Sequence, residues 1–264
     1  MRQSLQCGTS LLILPIDEGV AVAADDLVYE VRDGIAVPAF AGVHKVFAAS
    51  DRVIIGTTQN MWIKIAEPIS FEYHIDKWIA EFIPPQSSCA ECDPEEVATR
   101  IYNKARQTFE PIDSLIRERK WNKQAPGDTF VNYLVTGYAK DFGEYSLFNV
   151  WFRIDTDGKG LNFSPVEKKL TQSRQLSWYG EDQFFIRAQQ GLSPEAEMFT
   201  RRRLECSDLI DTILPDIHPR LKESASYISG LIKVESHFNK NKVGRSVNLV
   251  VIDRGAGRSY SAAL

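Results

Sequence analysis

Two short apolar runs near the N-terminus constrain the fold of this chain more than any other feature. Residues 10–16 and 20–24 are almost entirely apolar, and Asp17-Glu18-Gly19 lies between them. Apolar runs with little polar alternation are typical of strands that are buried on both faces. Gly19 suits the tight turn, since glycine readily adopts positive φ. The sequence therefore predicts a hairpin that other layers must cover on both sides.

The order of the remaining patterns predicts the fold class. After a meander of strands, helical spacing is expected over residues 60–83 with a break at Pro68, and Asp93-Pro94 has the features of a helix start. Strands are then expected, followed by helices and a final pair of strands. The strand segments are 27–32, 44–49, 52–58, 129–139, 145–155, 161–168, 174–179, 246–253 and 260–264, and the later helices lie near 181–190, from Ser193 and after Pro219. Segregated strand and helix runs indicate an α+β fold, namely a four-layer αββα sandwich of two antiparallel sheets flanked by helices.

Composition excludes several functional classes. The chain has 264 residues and a net charge of -4, which argues against a nucleic-acid partner. No apolar segment reaches the length of a membrane span, and no targeting segment is recognisable, so we expect a cytoplasmic protein that does not bind membranes. The basic run Arg201-Arg202-Arg203 is interpreted as a solvated helix face, with a phosphate or partner patch as the alternative.

The cysteines and histidines predict neither a metal site nor a cofactor. Four cysteines in a chain of this length do not form a disulfide framework. Cys89 and Cys92 form a lone CxxC pattern that lacks two further ligands for zinc. The histidines show no ligand spacing. Reduced thiols without a function are the preferred interpretation, and no cofactor is expected.

The Gly8-Thr9 junction suggests chemistry at the start of the first apolar strand. Cleavage between these residues would give Thr9 a free α-amine. A threonine whose own amine acts as its base is a known form of activated hydroxyl nucleophile.

With these residues, the chain resembles the proteasome β-subunit group of N-terminal-nucleophile (Ntn) hydrolases. The resemblance begins at Gly8-Thr9, continues through Ala23-Ala24-Asp25 and Lys45-Val46-Phe47, and extends over nearly the whole chain. It implies residues 1–8 as a short propeptide and residues 9–264 as a single domain, with a helical insertion near 192–216. It also implies autocatalytic cleavage between Gly8 and Thr9.

The resemblance also implies a role for each matched residue. Thr9 would be the nucleophile, Lys45 would activate its hydroxyl, and Asp25 would orient the lysine. Backbone N–H groups at Thr58 and Gln59 would form the oxyanion hole. The substrate would be a peptide or another amide, and assembly into a ring-like homo-oligomer would be expected.

The sequence also departs from the family pattern at supporting positions. Where the family has an Asp and a Ser before the last long strand, this chain has Lys240 and Val243. Glu181 and Asp182 replace a further supporting Ser, and either carboxylate is a candidate hydrogen-bond partner of the amine. Three interpretations follow: a threonine amidohydrolase of proteasome-like peptidase type, a catalytically inactive structural or assembly subunit, and an Ntn amidase that acts on a small non-peptide amide.

Overall fold

The computed structural model describes residues 3–8, 10–32, 35–83, 92–121, 124, 126–180, 183–191 and 194–264. Within these residues the strands are β1 (Gln3–Gly8), β2 (Ser10–Ile16), β3 (Gly19–Asp25), β4 (Val28–Arg32), β5 (Ile35–Phe40), β6 (Val46–Ala48), β7 (Val53–Ile65), β8 (Phe71–His74), β9 (Thr129–Tyr138), β10 (Tyr145–Ile154), β11 (Leu161–Phe163), β12 (Glu167–Lys169), β13 (Ser177–Gly180), β14 (Val247–Asp253) and β15 (Arg258–Ala263). The α-helices are α1 (Ile75–Phe82), α2 (Pro94–Arg117), α3 (Gln183–Gln189), α4 (Glu195–Ile213) and α5 (Pro219–Phe238).

The strands form two sheets. The first sheet has ten strands with the order β11-β10-β9-β7-β1-β4-β5, while β6 and β8 pair with β7 and β12 pairs with β10. The second has five strands with the order β13-β2-β3-β14-β15. The pairings between these strands are antiparallel.

Three apolar clusters show how the layers stack. Leu11, Ile13 and Val22 of the second sheet pack with Ile54 and Leu134 of the first, so one cluster lies between the sheets. A second cluster joins α1 and α2 to the outer face of the first sheet. A third joins α4 and α5 to the outer face of the second sheet. The α+β fold of four layers, αββα, is therefore confirmed.

The N-terminal hairpin follows the sequence prediction. Strands β2 and β3 pair directly, and every residue of β3 is buried. Gly19 in the turn has a φ of 157°, and a Cβ atom there would lie 2.0 Å from the Ile252 carbonyl oxygen. Glycine is required at this turn both for its backbone conformation and for the close approach of β14.

Helix α2 also begins where the sequence predicts. Asp93 caps it in a capping box with Glu96, and Pro94 occupies the first turn. The apolar stripe expected for this helix is buried throughout, and it consists of Val97, Ile101, Ala105, Phe109, Ile112 and Ile116. Pro111 lies inside the helix without dividing it.

The helical prediction for residues 60–83 is wrong over most of its length. Strand β7 continues to Ile65, β8 follows, and only Ile75–Phe82 is helical. Met61, Ile63 and Ile65 are buried at alternate positions, which is the period of a strand rather than of a helix.

Strands β1 and β5 lie in segments that the sequence reading did not assign to strands. β1 lies between β7 and β4 and pairs with both through its backbone. Gln3–Gly8 has little apolar character, so its place in the sheet depends on hydrogen-bond pairing that side-chain periodicity does not reveal. The role of residues 1–8 as a propeptide stays a prediction.

A long helix occupies the segment expected as a helical insertion. Helix α4 packs against α5, and its Cys206 and Ile210 are buried. Its status as an insertion remains a prediction. None of the described helices combines the length and the apolar character that a membrane crossing requires.

Truncation of Phe109 should test the outer core of the first sheet. Phe109 is fully buried, with ring centroids 5.0 Å from Tyr73 and 5.3 Å from Phe130. We expect Phe109→Ala to lower the free energy of unfolding by about 3–5 kcal/mol, because it leaves a cavity. Urea denaturation measures this change. Leu170→Ala is the control, since Leu170 is 98% exposed and should change little; equal effects of the two substitutions would contradict this packing.

Candidate active site

The site is built around the carboxylate of Asp25, the last residue of β3. Asp25 is fully buried, and its Oδ1 accepts hydrogen bonds from the Ser10 backbone N–H and from Lys45 Nζ, both at 2.9 Å. Its Oδ2 accepts from the backbone N–H groups of Leu27 at 3.0 Å and Gly244 at 2.9 Å. Four donors on four segments therefore fix both oxygens of one carboxylate.

Lys45 forms a buried ion pair with Asp25. Its side chain is 1% exposed, and Nζ also donates to the Leu27 carbonyl oxygen at 2.5 Å. Removing two charges from water is costly, so such a pair persists only when further hydrogen bonds support it. Here that support comes from the backbone N–H groups that donate to Asp25 and from the Leu27 carbonyl oxygen that accepts from Lys45. The structure thus brings together Asp25 and Lys45, 20 residues apart in the chain.

In the sequence, the Gly8-Thr9 junction falls between a strand of the first sheet and a strand of the second. Gly8 is the last residue of β1 in the first sheet, and Ser10 is the first residue of β2 in the second. Thr9 itself lies outside the described residues. The N–H group of the residue that follows it, Ser10, donates directly to Asp25.

The predicted oxyanion-hole segment is connected to Lys45 through the backbone. The Thr57 N–H donates to the Lys45 carbonyl oxygen at 2.9 Å. Thr58 is buried, and Gln59 has a φ of 73°, inside strand β7. A left-handed conformation at a non-glycine residue costs about 1–3 kcal/mol and is often found at functional sites. The backbone therefore departs from regular strand geometry within the predicted oxyanion-hole segment.

Gly244 is a residue of this site that the sequence analysis missed. A Cβ atom at Gly244 would lie 2.0 Å from Asp26 Oδ1 and 2.6 Å from the Leu27 nitrogen. The absence of a side chain lets its N–H reach Asp25. The available signal was a lone glycine just before β14, which indicates a close approach of two backbone segments.

The supporting positions do not reproduce the family pattern. Glu181 and Asp182 lie outside the described residues. Val243 is 1% exposed and belongs to the apolar cluster under α5, while Lys240 is exposed to solvent. Neither residue supplies the hydroxyl or the carboxylate that the resemblance implies there.

No group of three or more His, Cys, Asp or Glu side chains that could hold a metal ion occurs in the part of the chain that the structure describes. Cys92 and Cys206 are buried, and Cys89 lies outside that part. The absence of a metal or a cofactor stays an expectation from the sequence.

Comparison with known proteins identifies a related fold. No protein-family model matches this chain, and no curated protein matches it in sequence. Among solved structures, Anbu (ancestral beta-subunit) from Yersinia bercovieri is similar, with a TM-score of 0.50 and 13% sequence identity. The match covers 96% of this chain and 86% of that one. The chain therefore has a proteasome-related fold.

Removal of the lysine should show how strongly the fold depends on the buried pair. We expect Lys45→Ala to lower the free energy of unfolding by about 3–5 kcal/mol, because it leaves the Asp25 carboxylate buried without its cation. Chemical denaturation measures the loss. Lys169→Ala is the matched control, since its pair with Glu167 is partly exposed and should contribute less than about 1 kcal/mol. Similar losses in the two variants would contradict a stabilising role for the buried pair.

Proposed function

We propose that this protein is a threonine amidohydrolase of the Ntn type, a proteasome-like peptidase that cleaves itself between Gly8 and Thr9. The observation that carries the proposal is the buried Asp25–Lys45 pair with the Ser10 N–H on the same carboxylate oxygen as Lys45 Nζ. The Asp25 carboxylate of this ion pair is bound to the backbone N–H of Ser10, the residue that follows the candidate nucleophile. The pair therefore provides Thr9 with a charge partner and with a group that orients that partner.

The proposed mechanism assigns one step to each group. Thr9 Oγ attacks the carbonyl carbon of the substrate, and the α-amine released by cleavage takes up the hydroxyl proton. The Lys45 ammonium stabilises the oxyanionic form of the hydroxyl, and Asp25 holds that ammonium in place. Backbone N–H groups of Thr58 and Gln59 stabilise the tetrahedral oxyanion, and a donor of this kind contributes about 2.7–4 kcal/mol.

Strand β1 favours a peptide over a small amide as the substrate. Gly8 lies opposite Val28 of β4 and Gln59 of β7, and Cys7 lies opposite Tyr29 and Asn60. If residues 1–8 leave after cleavage, two strand edges lose their partner. An extended peptide can add to such edges through main-chain hydrogen bonds. In the uncleaved chain, β1 therefore occupies the place that we propose for the substrate.

A catalytically inactive structural or assembly subunit is the second candidate. Val243 favours it, because an apolar side chain in a closed core cannot support a nucleophile as a serine would. The two candidates share the fold and the ion pair, and they differ in whether Thr9 is released and reacts.

We also propose that the protein forms a homo-oligomer. Leu204, Leu209 and Ile213 on α4 are 63%, 44% and 44% exposed, although the same helix packs against α5 and buries Cys206 and Ile210. Large apolar side chains grouped on one outer helix are typical of protein–protein contacts. A second copy of this chain is the partner we propose.

Intact-mass measurement and probe labelling test the proposed chemistry. The purified protein should have lost residues 1–8, and a peptide epoxyketone should label its N-terminal threonine. Thr9→Ala should keep its full mass and remain unlabelled. Thr200→Ala is the matched control, since that hydroxyl lies on α4 and bonds only within its own helix; it should behave as the unmodified chain does.

Three results would decide against the proposal. If the unmodified chain retains residues 1–8 just as Thr9→Ala does, self-cleavage is refuted. Cleavage without labelling would favour the inactive subunit. Hydrolysis of small acyl-amides in place of peptides would favour the small-amide alternative.

Light scattering tests the assembly. The particle mass should be two or more times that of one chain, which is 29.8 kDa before residues 1–8 are removed. A Leu204→Lys/Leu209→Lys variant should shift toward the monomer, because the two charges would otherwise be buried in the contact. Leu170→Lys is the control at a position 98% exposed. A monomer for the unmodified chain would exclude the homo-oligomer.

A further inference from the structure

A pocket with a positively charged lining lies beside the loop between α5 and β14, the loop whose Gly244 N–H reaches Asp25. It has a volume of about 370 Å³, and its lining consists of Arg202, Lys233, Ser236, His237, Lys240 and Arg245. None of the described residues that line it carries a carboxylate, although the chain as a whole has a net charge of -4. The positive charge is therefore a local feature of this surface.

Side chains from three separate elements converge on the pocket. Arg202 comes from α4, Lys233 and His237 come from α5, and Lys240 and Arg245 come from the loop between α5 and β14. Basic side chains in the last turn of a helix are favoured by its dipole, which accounts for His237. That effect does not account for the arginines contributed by α4 and the loop.

Few acidic groups offset these cations. Among the described residues, the side chains of Lys240 and Arg245 have no carboxylate partner. Lys233 Nζ donates to two main-chain oxygens, those of Arg245 at 2.7 Å and Leu264 at 3.1 Å. Glu235 on α5 is buried, and its oxygens accept from the Phe184 N–H and the Asn239 side chain.

Arg202 combines one satisfied contact with one open donor. Its Nη1 donates to Glu205 Oε2 at 2.6 Å, whereas its Nε is buried without an acceptor in the described part of the chain. A buried donor of this kind calls for a partner. Burial also lowers the pKa of Lys233, and the Arg202 charge acts in the same direction against the opposing effects of Cys206, Asp26 and Glu205. A bound anion would satisfy the donor and favour the charged lysine.

We infer that this pocket binds a small anion that carries two or more phosphoryl groups. Arginine recognises phosphate through paired N–H donors, and lysine does so as a point charge. The volume is about twelve times the roughly 30 Å³ that one water occupies in the liquid, so the pocket has room for more than one phosphoryl group. The Ser236 hydroxyl adds a neutral donor to the lining. Arg202 belongs to the basic run Arg201-Arg202-Arg203. For this residue, the inferred site corresponds to the phosphate patch given as the alternative interpretation of that run.

The same loop joins the pocket to the Asp25 centre. The Gly244 N–H donates to Asp25 Oδ2 at 2.9 Å, and the next residue, Arg245, lines the pocket. A ligand that holds Lys240 and Arg245 would restrain the loop between them and slow the opening of the Gly244–Asp25 bond. This inference does not depend on Thr9 being a nucleophile.

Calorimetric titration of the full-length protein with inorganic pyrophosphate tests the site at about 0.15 M salt, where nonspecific charge effects are screened. Lys240→Ala/Arg245→Ala should weaken binding about tenfold or more, since charge-assisted hydrogen bonds are lost. Arg201→Ala/Lys159→Ala is the control, since it removes two charges outside the pocket whose side chains are 73% and 76% exposed. It should leave binding unchanged. Arg245→Gln alone provides a second variant if the double variant does not fold.

Hydrogen exchange and competing ligands complete the test. Pyrophosphate should slow amide exchange over residues 239–247, and it should do so equally in Thr9→Ala, which separates this site from the proposed chemistry. The inference is overturned if pyrophosphate does not bind, or if it binds the pocket variant as tightly as the control. It is also overturned if orthophosphate or sulfate binds as tightly as pyrophosphate, or if a glutamate-rich peptide binds more tightly at the same residues.

Discussion

The structure depends on one buried carboxylate more than on any other polar group. Asp25 receives hydrogen bonds from the start of β2, from Leu27 just beyond its own strand, from the lysine that precedes β6 and from the loop before β14. It thereby joins the two sheets at the point where the chain passes between them. Because the carboxylate is fully buried, its charge is tolerated only while Lys45 and the backbone N–H groups surround it. The geometry of the site and the integrity of the fold consequently rest on the same contacts.

Periodicity predicted the elements whose burial follows a single clear pattern. The β2–β3 hairpin has almost no polar residues, and α2 combines a capping box with a regular apolar stripe, so local chemistry and tertiary packing agree there. It failed for β7, which continues past residue 60 with burial at a period of two that spacing at helical intervals obscured. It failed for β1 because a polar segment can be held in a sheet by backbone pairing alone.

The residues of the site also fall into those that could be predicted from the sequence and those that could not. Asp25 and Lys45 were identified through the resemblance to a family, since nothing in composition or spacing brings together residues from two different sheets. Gly244 was missed because it contributes only a backbone N–H, and its value comes from the side chain that it lacks. Gln59 has the backbone conformation typical of glycine, a property that its side chain gives no reason to expect. Sequence patterns report side chains, whereas three of the four groups that donate to Asp25 are main-chain N–H groups.

If the proposed cleavage after Gly8 takes place, the pairing of β1 on both of its edges has a kinetic consequence. While residues 3–8 are covalently joined to β2, their local concentration at β4 and β7 is set by the tether rather than by the solution. Hydrolysis at Gly8 would end that tether without breaking a single strand-to-strand hydrogen bond. The severed segment would then act as a product inhibitor, and the onset of turnover would lag behind cleavage by the time that its dissociation requires. Dissociation of the segment, rather than cleavage alone, would set the moment at which the protein becomes active.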